Sequence, residues 1–383
     1  VVSDLPRISI LTANAGGGHL TAACSLADAL MGKAHVSFLR LMDDHSPFPI
    51  NTFSATYRPW VTYTPTLYRW VYHFAASRKR VIFAERAVYP LIRQRLVAAV
   101  SAERPDLWIS VHPLHVDIPL WIMNENGCRV PFVTVVTDPV TPPVAWFSPE
   151  VDLCVVATEP ARSVALECGV PADRVRVIGL PIRRAFTEMR EGFKPELRVR
   201  LGLPPDRALV LMTGGGAGIG RLLPIAQALA RRLAMHSTPA QLAIIAGHNR
   251  ALLRQLRAEK WPIPVAIRGY VDNMAEWIAA SEVLLTKAGP GTLAEAACLG
   301  VPVLITDYVP GQETGNVTWT VQHGAGAFER RPDQIVALVA DWLRPGNPTL
   351  SKMSAQARAI AHPNASAQIV DVALQLLRQP VCS

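Results

Sequence analysis

The sequence predicts an α/β protein of two Rossmann-like domains, each built on a parallel sheet. Three observations predict two such domains. Short apolar runs alternate with amphipathic ones along the chain, as repeated strand and crossover helix require. Two glycine-rich turns, Asn14-Ala15-Gly16-Gly17-Gly18-His19 and Thr213-Gly214-Gly215-Gly216-Ala217-Gly218, each follow a strand-like run and precede a helix-like one. The length, 383 residues, suits two to three domains with cores of their own.

The elements follow in order. Residues 7–13 read as a strand, 14–19 as a loop, 20–31 as a helix and 35–41 as the second strand. Further strands are expected at 107–111, 132–137 and 153–158. The second half restarts the pattern with a strand at 208–212, the loop 213–220, a helix to about residue 235, and strands at 241–246, 283–286 and 301–306. A boundary at 179–181, before the polar, basic stretch 183–200, divides the chain into domains 1–182 and 183–362. Residues 363–383 carry apolar side chains at helical spacing (Ile369, Val370, Ala373, Leu374, Leu377) and form a helix expected to pack back on the first domain.

Half of the residues are apolar, yet no run of about 20 is uninterrupted, so no spanning helix is expected. The opening Val-Val-Ser-Asp-Leu-Pro-Arg lacks the apolar core of a signal peptide, and the missing initiator Met points to a trimmed or engineered start. Six scattered cysteines with no Cys-x-x-Cys pair read as reduced cytosolic thiols without a zinc framework. The net charge of +8 suits nucleic acid, anionic lipid or a phosphorylated substrate alike.

Residues 286–316 are the most informative stretch. Lys287-Ala288-Gly289-Pro290-Gly291-Thr292 opens a helix whose bare N–H groups suit a diphosphate. Glu295 in that helix, and Gln312, Glu313 and Asn316 after the next strand, suit ribose and hexose hydroxyls. The loop around Gly214 and Gly215 lies in the same half, so a diphosphate would be held from two sides. The turn at Tyr270 and Val271 offers backbone groups to a base edge, although alone it is an ordinary loop. In the first half, Gly17 and Gly18 allow a ligand close to the backbone. His19 beside them could stay neutral at a helix N-terminus and accept a proton near pH 7, or simply cap the helix or hydrogen-bond in the turn. Asp138 ends a mostly apolar strand, where it could deprotonate a hydroxyl, orient His19, or simply cap a turn. Asp43 and Asp44 end the second strand, as a ribose carboxylate would in a nicotinamide enzyme. The first glycine turn, however, is not spaced Gly-x-Gly-x-x-Gly.

The segment 52–104 differs from the rest. It holds five of the seven tyrosines, including Tyr57, Tyr63 and Tyr68, together with Trp60 and Trp70. Nine basic residues, Arg78, Lys79 and Arg80 among them, stand against two acidic ones. Aromatic and basic residues together favour an anionic membrane surface. No nucleic-acid motif accompanies the patch.

These motifs resemble the monogalactosyldiacylglycerol synthases and related bacterial diacylglycerol glycosyltransferases, which are inverting GT-B enzymes. The resemblance rests on Gly16-Gly17-Gly18-His19, on the 287–292 loop and on Pro310-Gly311-Gln312-Glu313-Thr314-Gly315-Asn316. It implies UDP-sugar as donor, bound in the second domain, and diacylglycerol as acceptor, bound in the first. It carries phosphate and uridine contacts to Gly215, Tyr270, Val271, Lys287, Gly289, Gly291, Thr292 and Glu295, with Gly214, Gly247 and Pro290 in the same donor site. Hexose contacts fall to Gln312 and Glu313, with Asn316 also in the donor site, and an acid/base pair to His19 and Asp138 in unspecified order. The aromatic, basic segment and Trp146 fall to the acceptor and membrane side. One departure stands out: where the plant enzymes have His-Pro-Thr-Trp-Phe, this chain reads Pro143-Val144-Ala145-Trp146-Phe147.

The expected activity is transfer of a hexose, galactose favoured, to diacylglycerol. The alternatives are a UDP-glucose-dependent enzyme, a polyprenyl-linked acceptor, or a non-catalytic lipid- or nucleotide-binding protein. No cofactor and no metal are expected, since the sequence offers no Asp-x-Asp pair to hold one. The expected location is cytoplasmic, peripheral on the inner face of a membrane.

Overall fold

The computed structural model describes residues 5–13, 17–52, 75–189, 194–216, 218, 220–235 and 237–378. The chain divides into two compact units. The first comprises residues 1–183, 310–312 and 364–383, and the second residues 184–309 and 313–363.

The first unit is built on a six-stranded parallel sheet, order β2-β1-β3-β4-β5-β6. Its strands are β1 (Arg7–Leu11), β2 (His35–Leu39), β3 (Leu107–Ser110), β4 (Phe132–Val135), β5 (Leu153–Val156) and β6 (Val175–Val177). β3, β4 and β5 are buried throughout, as a parallel sheet covered on both faces requires. Alternate residues serve opposite cores. Trp108 and Phe132 pack with the helix Arg78–Glu103, through its Ile92 and Leu96, on one face. Ile109, Val133 and Val155 pack on the other with the helices Gly18–Leu30 and Ala365–Leu376.

The second unit repeats the plan in the order β12-β11-β10-β7-β8-β9. Its strands are β7 (Ala208–Thr213), β8 (Ala240–Ile245), β9 (Val265–Arg268), β10 (Val283–Lys287), β11 (Val303–Asp307) and β12 (Gly326–Phe328). Read from β9, this is the dinucleotide-fold order, with the direction of winding reversing between β7 and β10. In the first sheet the reversal falls between β1 and β3. Ligands of open α/β sheets bind outside the strand ends at such points.

The expected strands are present with ends shifted by up to about two residues, and three strands are additional. β6 and β12 are three-residue edge strands (Val-Arg-Val and Gly-Ala-Phe) with too few apolar residues for a pattern to show. The third, β9, was read only as a strand-like run before the Tyr270 turn. Asp43 and Asp44 do not end β2. They lie in the short helix Leu41–His45, where Asp44 pairs with Arg40 at 3.0 Å.

Candidate active site

At the reversal point of the first sheet, His19 follows β1 in the first turn of the helix Gly18–Leu30, and Val111 and His112 follow β3. The His19 Nδ1 lies 2.8 Å from the Val111 carbonyl and 3.1 Å from Thr137 Oγ1. A carbonyl only accepts, so Nδ1 carries the hydrogen and the neutral ring leaves Nε2 bare. No hydrogen bond to Nε2 is present among the described residues. Burial pushes the His19 imidazole below its ordinary value, while Asp138 and the Val111 carbonyl act in the opposite direction.

Asp138 follows β4 and is buried. Its Oδ2 accepts from Trp146 Nε1 at 2.8 Å and its Oδ1 from Gln312 Nε2 at 3.0 Å. The carboxylate is therefore held at both oxygens by N–H donors. Its charge reaches His19 without a direct hydrogen bond between them. Sequence reasoning placed Trp146 on the acceptor and membrane side. Its indole is instead fully buried, and its one polar atom orients Asp138. Gln312 was expected beside Glu313 in the second domain, yet residues 310–312 belong to the first unit.

Two imidazoles that sequence reasoning did not single out complete this region. The His112 ring stands edge-on to His19, with centroids 4.6 Å apart and planes at 74°, and His115 lies 5.0 Å beyond. Both are buried. Burial holds His112 well below the ordinary imidazole value and pushes His115 down to about 3, with His19 adding to both. Their one signal in the sequence was their position at a strand end. That position becomes informative only once β3 is known to neighbour β1.

Of the aromatic, basic segment, Tyr57, Trp60, Tyr63, Tyr68 and Trp70 lie outside the described residues. Lys79 and Arg80 are exposed at the start of the helix Arg78–Glu103. Arg78 is not a surface cation. Its guanidinium turns inward and grips Asp117 with two bonds of 2.5 Å, where Asp117 is 3% exposed. The membrane reading of Arg78 is corrected accordingly, because a buried charge must be paired. Gly17 has φ +81, and a Cβ at Gly17 or Gly18 would meet nothing within 4 Å. Space beside His19, not packing, is what these glycines leave.

In the second unit the two glycine loops follow β7 and β10, the strands that flank the reversal. The Lys287 side chain runs past Gly215 and Gly289 to Glu313. A Cβ on Gly215 would lie 3.8 Å from Lys287 Cε, and one on Gly289 3.2 Å from Nζ. Lys287 and Glu313 form an ion pair, and Glu313 Oε2 accepts the Val309 N–H at 2.8 Å. Gly289 precedes the helix Pro290–Cys298. Leu293 supplies the first N–H bonded back to Gly289, so those of Gly291 and Thr292 face outward unpaired among the described residues. Asn316 Nδ2 donates to the Ala288 carbonyl at 3.0 Å, and its Oδ1 is buried with no partner among the described residues. Glu295 is buried in the same helix.

Gly247, with φ +57, lets the loop after β8 pack on the loop after β7; a Cβ there would sit 2.4 Å from the Gly216 carbonyl oxygen. His248 donates its backbone N–H to that same carbonyl at 2.9 Å. Its ring stacks on exposed Tyr270 at 4.5 Å and 11°. Tyr270 and Val271 follow β9, three strands away from Lys287 on β10. The expected contacts thus form two groups on one sheet edge: a phosphate-type group at Lys287 and an aromatic platform at Tyr270.

Comparison with known proteins adds to this geometry. A family model described as monogalactosyldiacylglycerol (MGDG) synthase matches residues 19–182, and the glycosyltransferase family 28 C-terminal domain matches residues 209–361. The probable monogalactosyldiacylglycerol synthase 3, chloroplastic, of Oryza sativa subsp. japonica is 35% identical over 382 residues, covering 97% of this chain and 75% of that protein. Monogalactosyldiacylglycerol synthase 3, chloroplastic, of Arabidopsis thaliana is 35% identical over 381 residues, covering 96% and 80%. Solved structures share the fold at low identity. Acinetobacter baumannii MurG superposes with a TM-score of 0.63 at 15% identity, covering 97% of this chain and 99% of that one. A UDP-N-acetylglucosamine 2-epimerase gives 0.61 at 15%, covering 97% and 95%. The fold is GT-B, and an epimerase on the same frame means that the fold alone does not choose the reaction.

Proposed function

The chain belongs to the monogalactosyldiacylglycerol synthase family and is a glycosyltransferase, and from that premise we propose that it moves galactose from UDP-galactose to diacylglycerol with inversion. The observation that carries the proposal is the fixed tautomer of His19, whose Nδ1–H is committed to the Val111 carbonyl and whose Nε2 is bare. In the reaction, the acceptor hydroxyl oxygen bonds to the anomeric carbon and its proton passes to His19 Nε2. The bond from that carbon to the UDP oxygen breaks, and UDP leaves with the electron pair.

Asp138 is less suited to take the proton, because both of its oxygens already accept N–H bonds. Its part is to oppose the positive charge that forms on His19. The negative charge growing on UDP meets Lys287 and the open N–H groups of Gly291 and Thr292, donors in place before the reaction begins. This charge stabilisation needs no divalent metal. Lys79 and Arg80 on the first unit fit docking to an anionic membrane, with each such cation contributing about 1 kcal/mol.

The test is UDP release from UDP-galactose or UDP-glucose, with diacylglycerol in anionic mixed micelles and EDTA present. Galactose-dependent release supports the reading, and release with glucose alone moves the chain to glucolipid synthesis. His19→Ala should lower kcat on the order of 10³-fold and leave UDP binding intact. Near-normal turnover in that variant removes His19 from the chemistry.

A further inference from the structure

We propose that His112 is a positioning residue for the reaction: its ring wedges the His19 imidazole in the orientation where Nδ1 meets the Val111 carbonyl and Nε2 stays open to the acceptor proton. The proposal rests on the assignment of His19 as the base. One peptide unit supplies both constraints. The Val111 carbonyl holds His19 Nδ1, and the next side chain, His112, stands edge-on against the same ring at 4.6 Å and 74°. Trp146 lies on the His19 ring at 6.0 Å, itself fixed by its bond to Asp138.

His112 in turn is held through its ring Nδ1 and its backbone. Its Nδ1 accepts the Leu114 N–H at 3.3 Å, which places its own hydrogen on Nε2. Its carbonyl accepts the Ser110 hydroxyl at 3.1 Å and the His115 N–H at 3.0 Å. His115 backs the ring at 5.0 Å, and its Nε2 accepts the Met42 N–H at 3.3 Å. The charged or titratable groups around His112 and His19 are therefore His115 and Asp138. A ring locked by its own backbone turn is a rigid stop, and rigid support sets how well a reacting group is placed.

The ordinary alternative is that His112 serves only to cap the turn through Leu114. Two substitutions separate these roles. His112→Asn keeps an acceptor for the Leu114 N–H but has no ring, whereas His112→Phe keeps a ring but has no acceptor. The wedge predicts that His112→Phe stays within about threefold of normal kcat, while His112→Asn loses about 10²-fold with the KM for UDP-sugar unchanged.

The pH profile gives a second readout. His19 works only unprotonated, and burial holds its pKa low, so the acid limb of kcat lies below the ordinary imidazole range. Without the His112 ring, water reaches His19 and the limb moves up towards about 6.5 in His112→Asn. In His112→Phe it stays in place. Retained turnover in His112→Asn, or acid limbs that coincide in the two variants, would overturn the wedge.

Thermal melts and UDP binding establish that each variant is folded. Should one fail to fold, His112→Gln and His112→Tyr make the same comparison. His19→Ala measured alongside keeps the failures apart. Turnover surviving there removes the base assignment itself, whereas turnover lost there with a cap-type pattern at position 112 removes only the wedge.

Discussion

In the first unit, the crevice at the strand ends gathers three imidazoles, an indole and one carboxylate. In the second, the equivalent crevice gathers glycines, a lysine and a glutamate. The difference is one of chemistry. Buried imidazoles held below their ordinary values are neutral, and His19 among them keeps its Nε2 bare for a proton. Backbone N–H groups and a lysine already paired with Glu313 are suited to anionic charge. A fold that duplicates its switch point can divide proton transfer from leaving-group stabilisation, giving each its own electrostatic surroundings.

The largest effect that would break this comparison is at Lys287. If the second crevice holds the diphosphate, Lys287→Ala should raise the KM for the UDP-sugar by about 10- to 100-fold, the worth of one charged hydrogen bond. The same substitution leaves Glu313 buried without its partner, so stability should fall as well. The double variant Lys287→Ala/Glu313→Gln separates the two causes. Its melting temperature should recover while its donor KM does not. A recovered KM would reduce Lys287 to a structural partner of Glu313.

Glycines sharpen the contrast, because the two crevices use them for different reasons. Gly247→Ala should cost about 1–3 kcal/mol of stability, since its Cβ would sit 2.4 Å from the Gly216 carbonyl oxygen at a positive φ. Gly18→Ala meets nothing within 4 Å and should leave stability within about 0.5 kcal/mol. Calorimetry on both variants checks the pair. Equal losses would mean that the glycines beside His19 are also demanded by packing.

That contrast bears on how much could be read from the sequence. The second crevice was largely legible, because Gly215, Lys287, Gly289 and Glu313 lie in three short motifs whose strand–loop–helix context is local. The first was only half legible. His19 and Asp138 stand at strand ends that apolar runs announce. His112 and His115 acquire meaning only from β3 lying beside β1, an order that no local pattern encodes. Trp146 and Arg78 show the same limit from the other side. Arg78 was assigned to the membrane surface by the charge of its segment and Trp146 to the acceptor side by resemblance, and each is held inward by a single carboxylate partner, Asp117 for one and Asp138 for the other. A long-range partner at a distant position leaves no periodicity to find.

A test on stability against pH asks whether the concentration of buried titratable groups extends beyond the crevice of the first unit. Glu85 lies on the same helix as Arg78 and shares Asp117 with it, two carboxyls to one guanidinium. Burial, with Asp117 adding, raises the Glu85 carboxyl from 4.5 to about 8. The folded protein therefore holds a proton that the unfolded chain has released between those values. Its contribution to stability is fully present below pH 4.5 and falls as pH rises towards 8, by at most about 1.4 kcal/mol per pH unit. Glu85→Gln keeps the neutral shape and should flatten that slope, leaving the variant more stable than the parent at pH 8. Denaturant melts across the window decide the matter, and a slope unchanged in Glu85→Gln would place its source elsewhere. This stability is lost as pH rises whereas His19 loses turnover as pH falls, so the stability and activity profiles of the first unit run in opposite directions.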